Sequence, residues 1–388
     1  MIGKWTFFSD RKRKPCPFRG KVLNAFYFVV DEGMCCIASA QALHIARSWG
    51  CDVHIFVERR DPAATVRQVE HEGRIHYHFD ALMPCLPEGL PSSRNWPHIV
   101  YLRLFAPARL QQYSRLIYLD ADVLSMKPDH AIWDVALPSG LAAVEDYGTL
   151  FELPPTAKKL RREDWLETLG ISSGRGFNSG VLVIDPQRWR EHDFAGRLVE
   201  YFEKYPQAER FDQDFLAWLF DGAWTELSPR FNFQASVLGF GMFAAIDPVF
   251  VHFCQYEKPW FDRRGDAATN IDEAIIDVYD ALLEEAGCDA AALARPLALT
   301  GPQRFKFWLR RKMAAHGFPS RKERRVGRER QRRIGVFADY VSARLSEGRF
   351  ADMTAEALPD IRDETYFDGR FFRTRLDRDA LLSVRVGS

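Results

Sequence analysis

Short apolar runs alternate with amphipathic stretches along most of this chain. Runs rich in Val, Ile, Phe and Tyr occur at 22–30, 53–57 and 75–79, and each has the length of a buried strand. A stretch of helical periodicity, 35–49, lies between the first two runs and ends at Gly50. This strand, helix, strand order predicts a right-handed parallel crossover.

The same alternation continues through the middle of the chain. The segment 147–176 interrupts it, contains Pro154 and Pro155, and is predicted to be a lid or a binding loop. Alternating strands and helices predict an α/β fold with a mostly parallel central sheet. Further strands are predicted at 116–119, 141–144 and 176–185, and helices at 99–110, 193–205 and from 211 onward.

The character of the sequence changes near residue 275. Residues 272–293 are predicted to be helical and acidic, whereas 303–333 hold thirteen Lys or Arg against two Glu. We therefore expect one α/β domain at 21–275, a basic lead-in at 1–20, and a mainly helical extension at 276–388.

Composition narrows the class of protein. The chain has 388 residues, of which 47% are hydrophobic and 27% charged, as in a globular protein. Its formal net charge is zero, so no global field favours nucleic acid as a partner. Seven cysteines without a Cys-x-x-Cys pair predict reduced thiols rather than a zinc site or a disulfide framework. The chain shows no signal-peptide pattern and no run of about 18 apolar residues, which predicts a cytoplasmic protein.

Two aspartates follow one of the predicted strands directly. Asp120 and Asp122 come after the apolar run 116–119, and side chains two residues apart in an extended chain point the same way. Converging carboxylates repel unless a cation lies between them, so the pair predicts a divalent metal with phosphate ligands. Two alternatives fit the same pattern: a solvated turn or helix cap, and the nucleophilic aspartate of a haloacid dehalogenase type of phosphohydrolase.

Four separated motifs distinguish these alternatives, and in their order they resemble glycosyltransferase family 8. The motifs are Tyr-Leu-Asp-Ala-Asp at 118–122, Phe-Asn-Ser-Gly-Val at 177–181, Asp-Gln at 212–213, and His-Phe at 252–253 followed by Lys-Pro-Trp at 258–260. The resemblance covers about residues 22–262. The family includes glycogenin and bacterial lipopolysaccharide galactosyl- and glucosyltransferases. It implies a single GT-A-type, Rossmann-like domain and a retaining transfer from a nucleotide-sugar. A phosphohydrolase would need a later lysine and acidic pair, which we cannot place.

The resemblance implies a metal site for the leaving diphosphate. Asp120, Asp122 and His252 match the family's metal ligands, usually for Mn²⁺ but also suited to Mg²⁺, and a mixed oxygen and imidazole set fits the former ion. Asp122 and His252 are 130 residues apart, and we expect a shared ion to bring them together. Lys258 matches the lysine that contacts the diphosphate as a point charge.

The resemblance also assigns the UDP-sugar contacts. Asp31 matches an acidic residue that contacts the base or ribose, and Met34 stands where the family often has a tyrosine, which leaves the identity of the base open. Arg103 matches an arginine near the sugar and diphosphate, and Gln255 replaces a family glycine. The predicted donor-binding residues are Asp31, Met34, Arg103, Asp120, Ala121, Asn178, Gly180, Gln255 and Lys258.

Three residues are implied at the reacting centre. Asp212 and Gln213 match positions around the transferred sugar, and Glu145 falls near an acidic residue on the acceptor side, although the match could shift by one to Asp146. Because an amide is a poor nucleophile, we expect Gln213 to position the reactants in a front-face mechanism.

The basic stretch at 303–333 contains a one-sided apolar pattern. Phe305, Trp308, Leu309 and Met313 fall on one side of a helix whose other side is Arg and Lys. This arrangement predicts a membrane-surface helix serving a lipid-linked or glycan acceptor, unless the apolar side packs on the α/β domain. No base-stacking module accompanies the charge, so nucleic acid is not expected. The expected function is a hexosyltransferase for lipopolysaccharide or surface polysaccharide; the alternatives are a metal-dependent phosphohydrolase or a non-catalytic glycan-binding protein.

Overall fold

A seven-stranded sheet with helices on both faces forms the centre of the protein. The computed structural model describes residues 23–63, 65–93, 96–262, 271, 273–295, 300–316 and 320–353. The predicted basic lead-in at 1–20 lies outside the described residues, as does the end of the predicted extension.

The described elements follow the predicted alternation closely. The strands are β1 (Asn24–Asp31), β2 (Asp52–Glu58), β3 (Ile75–Phe79), β4 (Arg115–Leu119), β5 (Val123–Ser125), β6 (Leu141–Glu145), β7 (Phe177–Ile184), β8 (Thr225–Leu227), β9 (Phe233–Gln234) and β10 (Phe250–His252). The α-helices are α1 (Cys35–Trp49), α2 (Tyr147–Phe151), α3 (Arg162–Thr168), α4 (Pro186–Trp189), α5 (Phe194–Lys204), α6 (Phe211–Leu219), α7 (Ala235–Leu238), α8 (Phe243–Ile246), α9 (Glu273–Glu285), α10 (Ala290–Leu293), α11 (Gly301–Ala315) and α12 (Arg321–Ser346). Short 3₁₀ helices lie at Met83–Cys85, His98–Leu104, Ala106–Arg109, His130–Asp134, Pro155–Ala157, Pro229–Phe231 and Pro259–Phe261.

The sheet has the order β3-β2-β1-β4-β7-β6-β8, and the prediction of a mostly parallel sheet is confirmed. Strand β7 is antiparallel to both of its neighbours, β4 and β6, while the other pairs are parallel. The amino end of β7 therefore meets the carboxyl end of β4, and the backbone N–H of Asp120 donates to the carbonyl of Gly180 at 2.8 Å. Two of the predicted motifs, at 118–122 and 177–181, thus lie side by side at the same end of the sheet's strands.

A second, three-stranded sheet of order β5-β10-β9 brings the His-Phe motif at 252–253 to the same place. Strand β10 pairs antiparallel with β5, which sets His252 opposite Val123, and the N–H of Phe253 donates to the carbonyl of Asp122 at 3.0 Å. The expectation that a shared ion alone brings Asp122 and His252 together is therefore wrong, since backbone pairing places them side by side.

Two predicted segments differ in detail from the structure. Residues 99–110 were expected to be one helix, but they form two 3₁₀ turns that meet at Phe105. Pro107 explains the break, because it has no N–H to donate to the carbonyl of Arg103, as an α-helix would require. The predicted loop at 147–176 contains α2 and α3, and the side chain of Asp146 caps α2 by accepting from the N–H of Gly148.

The predicted extension shares the hydrophobic core of the α/β domain. The boundary near residue 275 falls inside α9, whose Tyr279 and Leu283 are buried with side chains of α1. On α12, Phe337 and Val341 are fully buried in the same core. The division of the chain at 275 stays a prediction, but the helices on either side of it are packed together.

The segment after α12 lies against the edge strand β8. The N–H of Ala351 donates to the carbonyl of Glu226 at 2.9 Å, and the carboxylate of Asp352 accepts from the N–H and hydroxyl of Ser228 at 2.7 and 2.6 Å. The buried carboxylate of Glu226 also pairs with Arg175 and Arg344. Residues 350–353 are thereby fixed to the last strand of the sheet.

Two cysteines contradict the prediction of reduced thiols. Cys36 at the start of α1 and Cys288 after α9 form a disulfide, with their Cα atoms 6.0 Å apart. No spacing pattern could indicate this pair, since 252 residues separate its members. Of the other cysteines in the described ranges, Cys35, Cys51, Cys85 and Cys254 are free.

Candidate functional site

Three side chains converge beyond the carboxyl end of β4. The metal-ligating atoms of Asp120, Asp122 and His252 all lie within 4.8 Å of one another. His252 Nε2 is 3.2 Å from Asp122 Oδ1 and 3.7 Å from Asp120 Oδ2. Two carboxylates and an imidazole at this spacing fit a divalent cation of the Mn²⁺ or Mg²⁺ type.

The second oxygen of each carboxylate already has a partner. Asp120 Oδ1 accepts from the Tyr118 hydroxyl at 2.5 Å and faces Arg103 Nη1 at 3.0 Å. Asp122 Oδ2 accepts from Lys258 Nζ at 2.5 Å. Burial opposes ionisation of Asp122, but the charges and hydrogen bonds of Lys258 and His252 together outweigh it and lower the pKa of that carboxyl below its usual value. One oxygen from each aspartate is therefore left to face His252.

Gly180 closes the site from below. A Cβ at this position would overlap His252 Cε1, and would lie 2.7 Å from His252 Nδ1 and 2.8 Å from Asp120 Oδ2. Its backbone is not in the left-handed region, so the requirement for glycine comes from space rather than from conformation. The structure thus places Gly180 against the side chains of His252 and Asp120, two candidate metal ligands, rather than on the cavity wall.

Arg103 links the candidate metal ligand Asp120 to Asp212. Its buried guanidinium pairs with Asp120 and, at 3.3 Å, with Asp212, and it donates to the carbonyl of Ser179 at 3.1 Å. Burial raises the pKa of Asp212 to about 6, and Arg103 opposes this rise. The arginine holds two carboxylates from different elements in one position.

Gln213 is held at both ends of its amide. Its Oε1 accepts from the N–H of Ser179 at 3.1 Å, and its Nε2 donates to Asp146 Oδ2 at 3.2 Å. Phe211, the first residue of α6, has a φ of 36°, a conformation that costs a non-glycine residue energy. The turn into α6 therefore presents Asp212 and Gln213 in a defined orientation.

These groups line a cavity of about 410 Å³. Of the predicted residues, those on its wall are Arg103, Asp120, Asp122, Asn178, Asp212, Gln213, His252, Gln255 and Lys258. The predicted residues Asp31, Met34, Ala121, Gly180 and Glu145 are not on the wall. Asp31 Oδ1 accepts from the N–H of Met34 at 3.0 Å, which shapes the turn between β1 and α1.

The structure corrects the expected position of Glu145. Its side chain is 1% exposed, pairs with Arg162 and lies near Glu226, away from the cavity. Burial raises its pKa to about 7, with Arg162 opposing the shift. Asp146 lines the cavity instead, because successive residues at the end of a strand point to opposite sides.

The motifs did not reveal several residues at the site. Asp146 follows from strand alternation, and Ser179 lies within a recognised motif, but Trp96 and Arg210 carry no sequence pattern that would identify them. Asn232 is buried behind His252, where its Oδ1 lies 3.1 Å from Nδ1 of that ring. In the sequence, Asn232 is marked only by being a polar residue between two phenylalanines, Phe231 and Phe233.

Comparisons with known proteins place these observations in a family. General stress protein A of Bacillus subtilis (strain 168) is 29% identical over 179 residues, covering 41% of this chain and 58% of the relative. Lipopolysaccharide glucosyltransferase WaaO of Escherichia coli (strain K12) is 26% identical over 189 residues, covering 46% of this chain and 53% of the relative. The match thus spans little more than half the length of these curated relatives.

Solved structures show the same fold. A crystal structure of an active-site mutant of LgtC has a TM-score of 0.55 and 22% identity, covering 68% of this chain and 96% of that chain. This likeness confirms the predicted GT-A-type fold. The model of the family described as "Glycosyl transferase family 8" matches residues 51–264, more than half of the sequence. The chain therefore belongs to glycosyltransferase family 8.

Proposed function

We propose that this protein is a retaining glycosyltransferase that moves a hexose from a UDP-sugar to a glycan acceptor in lipopolysaccharide or surface polysaccharide synthesis. The observation that carries the proposal is the convergence of Asp120, Asp122 and His252 beside Lys258 on one cavity. Family membership supports it, as does a solved complex of the galactosyltransferase LgtC with donor and acceptor sugar analogs, similar in fold with a TM-score of 0.51.

The charges around the cavity suit a leaving diphosphate. Mn²⁺ or Mg²⁺, held by Asp120, Asp122 and His252, would supply positive charge to the departing group. Lys258 and Arg103 add fixed positive charge close to the same carboxylates, at 2.5 and 3.0 Å. In a site partly closed to water, such charges stabilise a developing anion more strongly than they would in bulk solvent.

Donor recognition is assigned to two residues of the cavity wall, Asn178 and Gln255, and to three that lie off the wall, Asp31, Met34 and Ala121. Asp31 would accept from the base or ribose, with Met34 packing beside it and Ala121 in the backbone between the two aspartates. Asn178 and Gln255 offer amides on the cavity wall for the sugar and the diphosphate.

The acceptor side is assigned to Asp146, Asp212 and Gln213. Gln213 is neutral and its amide is fixed at both ends, so it orients the transferred sugar rather than attacking it. Asp146 replaces Glu145 in this role because it lines the cavity. A front-face transfer, in which a donor phosphate oxygen helps to deprotonate the acceptor, fits a cavity whose wall offers no free carboxylate nucleophile among the described residues.

Slow hydrolysis of a UDP-sugar without acceptor is the expected result of a direct assay. The purified chain is incubated with Mn²⁺ and a panel of nucleotide-sugars, and nucleotide release is measured before and after chelation of the metal. Release that stops on chelation supports the proposal. Turnover of p-nitrophenyl phosphate without any nucleotide-sugar activity would show a phosphohydrolase, and donor binding without turnover would show a non-catalytic glycan-binding protein.

The apolar side of α11 supports peripheral contact with the inner face of a membrane, where a lipid-linked acceptor would lie. Phe305, Trp308, Leu309 and Met313 are 61%, 50%, 43% and 49% exposed, so the alternative that they pack on the α/β domain is wrong. Lys312 lies over the Trp308 ring at 4.8 Å, next to this apolar side. None of the helices in the described ranges combines the length and apolar content needed to cross a bilayer.

Exchanging Trp308 and Leu309 together for serine is expected to weaken binding to anionic vesicles tenfold or more. Each side chain loses about 1.5–3 kcal/mol of apolar burial in the lipid surface, while donor hydrolysis stays unchanged. Binding is measured by vesicle sedimentation at low and high salt, with Val326→Ser on α12 as the matched exposed control. Deleting the chain from residue 300 is not a clean test, since it removes the buried Phe337. Equal binding by the variant and the wild type would contradict the membrane contact.

A further inference from the structure

A series of hydrogen-bonded side chains runs from the candidate metal ligand His252 to Gln213 on the cavity wall. It passes through a buried residue that is not itself on the wall. Asn232 is fully buried and lies between His252 and Asn178. Building on the proposed function, we infer that Asn232 is a positioning residue: it fixes the ring of His252 in the form that binds a metal and ties that ring to Gln213.

The links of this chain can be followed atom by atom. His252 Nδ1 lies 3.1 Å from Asn232 Oδ1, and Asn232 Nδ2 donates to Asn178 Oδ1 at 2.9 Å. Asn178 Nδ2 donates to Gln213 Oε1 at 3.4 Å, and Gln213 Nε2 donates to Asp146 Oδ2 at 3.2 Å. Each amide accepts a hydrogen bond from one neighbour and donates one to the next, so all the hydrogen bonds of this series run in the same direction.

Three fixed groups set that direction. The backbone N–H of Gly180 donates to Asn178 Oδ1 at 3.1 Å, and the N–H of Ser179 donates to Gln213 Oε1 at 3.1 Å. At the far end the carboxylate of Asp146 accepts, and it also pairs with Arg210. Turning over either amide would point its NH₂ group at a backbone N–H, leaving two donors facing each other.

The direction of the chain decides which nitrogen of His252 carries the proton. Because Asn232 gives its NH₂ to Asn178, only its Oδ1 is left for the ring, and Nδ1 must be the protonated nitrogen. Nε2 is then the nitrogen whose lone pair a cation held by Asp120 and Asp122 would take. Asn232 is 0% exposed, so water has no access to replace it.

The same residue acts at the sugar end. Without the Asn232 donor, Asn178 keeps the Gly180 N–H as its only described donor at Oδ1, and the Asn178 amide is held less firmly toward Gln213. The orientation of the amide at the reacting centre thus depends on the residue that orients the metal ligand.

Two substitutions and a control separate positioning from packing. Asn232→Leu keeps the branched shape of the side chain but removes both links; Asn232→Asp keeps an oxygen for His252 Nδ1–H. Gln111→Leu removes a half-buried amide that bridges the carbonyls of Pro107 and Pro186, away from the cavity. Mn²⁺ affinity is measured by calorimetry without donor; we expect it to fall about 10–100-fold in Asn232→Leu and to stay within about threefold of wild type in Asn232→Asp and Gln111→Leu.

Nitrogen NMR of the wild-type protein, labelled at histidine and saturated with diamagnetic Mg²⁺ at pH 8, tests the inference without any Asn232 variant. The resonance lost in His252→Gln identifies the ring, and we expect its proton on Nδ1. A proton on Nε2, or a folded Asn232→Leu that binds Mn²⁺ like wild type, would overturn the inference. Absence of nucleotide-sugar turnover would instead overturn the proposed function and leave the NMR result standing.

Discussion

Replacing Asp122 with asparagine is expected to slow metal-dependent donor hydrolysis about a hundredfold or more, which corresponds to roughly 3 kcal/mol of transition-state stabilisation. Asparagine keeps the shape of the side chain and removes its negative charge. In the structure that charge faces His252 through Oδ1 and Lys258 through Oδ2, so the substitution weakens the metal site and removes the ion pair of Lys258, which keeps the Phe253 carbonyl as an acceptor. Steady-state nucleotide release at saturating Mn²⁺ measures the effect.

The control for this prediction is Asp247→Asn, which removes an exposed carboxylate paired with Lys127 and should leave the rate unchanged. His252→Ala is expected to behave like Asp122→Asn, with a higher Mn²⁺ requirement, in a domain that still folds. Near-normal rates in both Asp122→Asn and His252→Ala, with the same metal dependence as wild type, would show that these residues do not form the site.

Alanine at position 180 is expected to weaken Mn²⁺ binding more than tenfold and to lower the rate about a hundredfold, because one methyl group displaces two ligands at once. The added Cβ overlaps His252 Cε1 and lies 2.8 Å from Asp120 Oδ2. The backbone cannot easily move away, because the carbonyl of Gly180 accepts a hydrogen bond from the N–H of Asp120. Calorimetric Mn²⁺ titration and nucleotide release are compared with the thermal midpoint.

Gly176→Ala is the matched control for that substitution, four positions earlier on the same stretch of chain. Its Cβ would meet Leu166 Cδ2 at 3.5 Å, an ordinary contact, so little change is expected. If Gly180→Ala bound Mn²⁺ with wild-type affinity, the ligands would have to lie elsewhere than the structure places them.

Most of the strands could be predicted because their signal is local. The run at 75–79 matches β3 residue for residue, and the run at 116–119 differs from β4 by one residue. In β4 the apolar side chains face both layers of the core and leave a continuous hydrophobic pattern, whereas in the edge strand β3 apolar residues alternate with His76 and His78. The position of Asp120 and Asp122 at a strand end followed from the same pattern.

What could not be predicted depends on contacts distant in sequence or on very short elements. Strands β5 and β10 have three residues each, too few for a periodic pattern, yet their pairing delivers His252 to Asp122. The match of motifs favours Glu145 because it does not resolve a shift of one residue, whereas the alternation of side chains at the strand end favours Asp146.

The basic stretch at 303–333 shows that composition alone does not separate neighbouring helices with different surroundings. Composition made it a single feature, but the structure divides it between α11, whose apolar side is exposed, and the start of α12, whose later turns enter the core. Helical periodicity in 334–341 would have separated the two, since Phe337 and Val341 are four residues apart on one face.

The position of residues 350–353 also bears on how molecules of this protein behave toward one another. Strand β8 is the last strand of its sheet, and a free strand edge is a template on which another chain can pair. The N–H of Ala351 and the carboxylate of Asp352 occupy backbone groups of Glu226 and Ser228 at that edge. A chain shortened before residue 350 would therefore expose an open edge, and its first defect would be association between molecules rather than loss of the cavity.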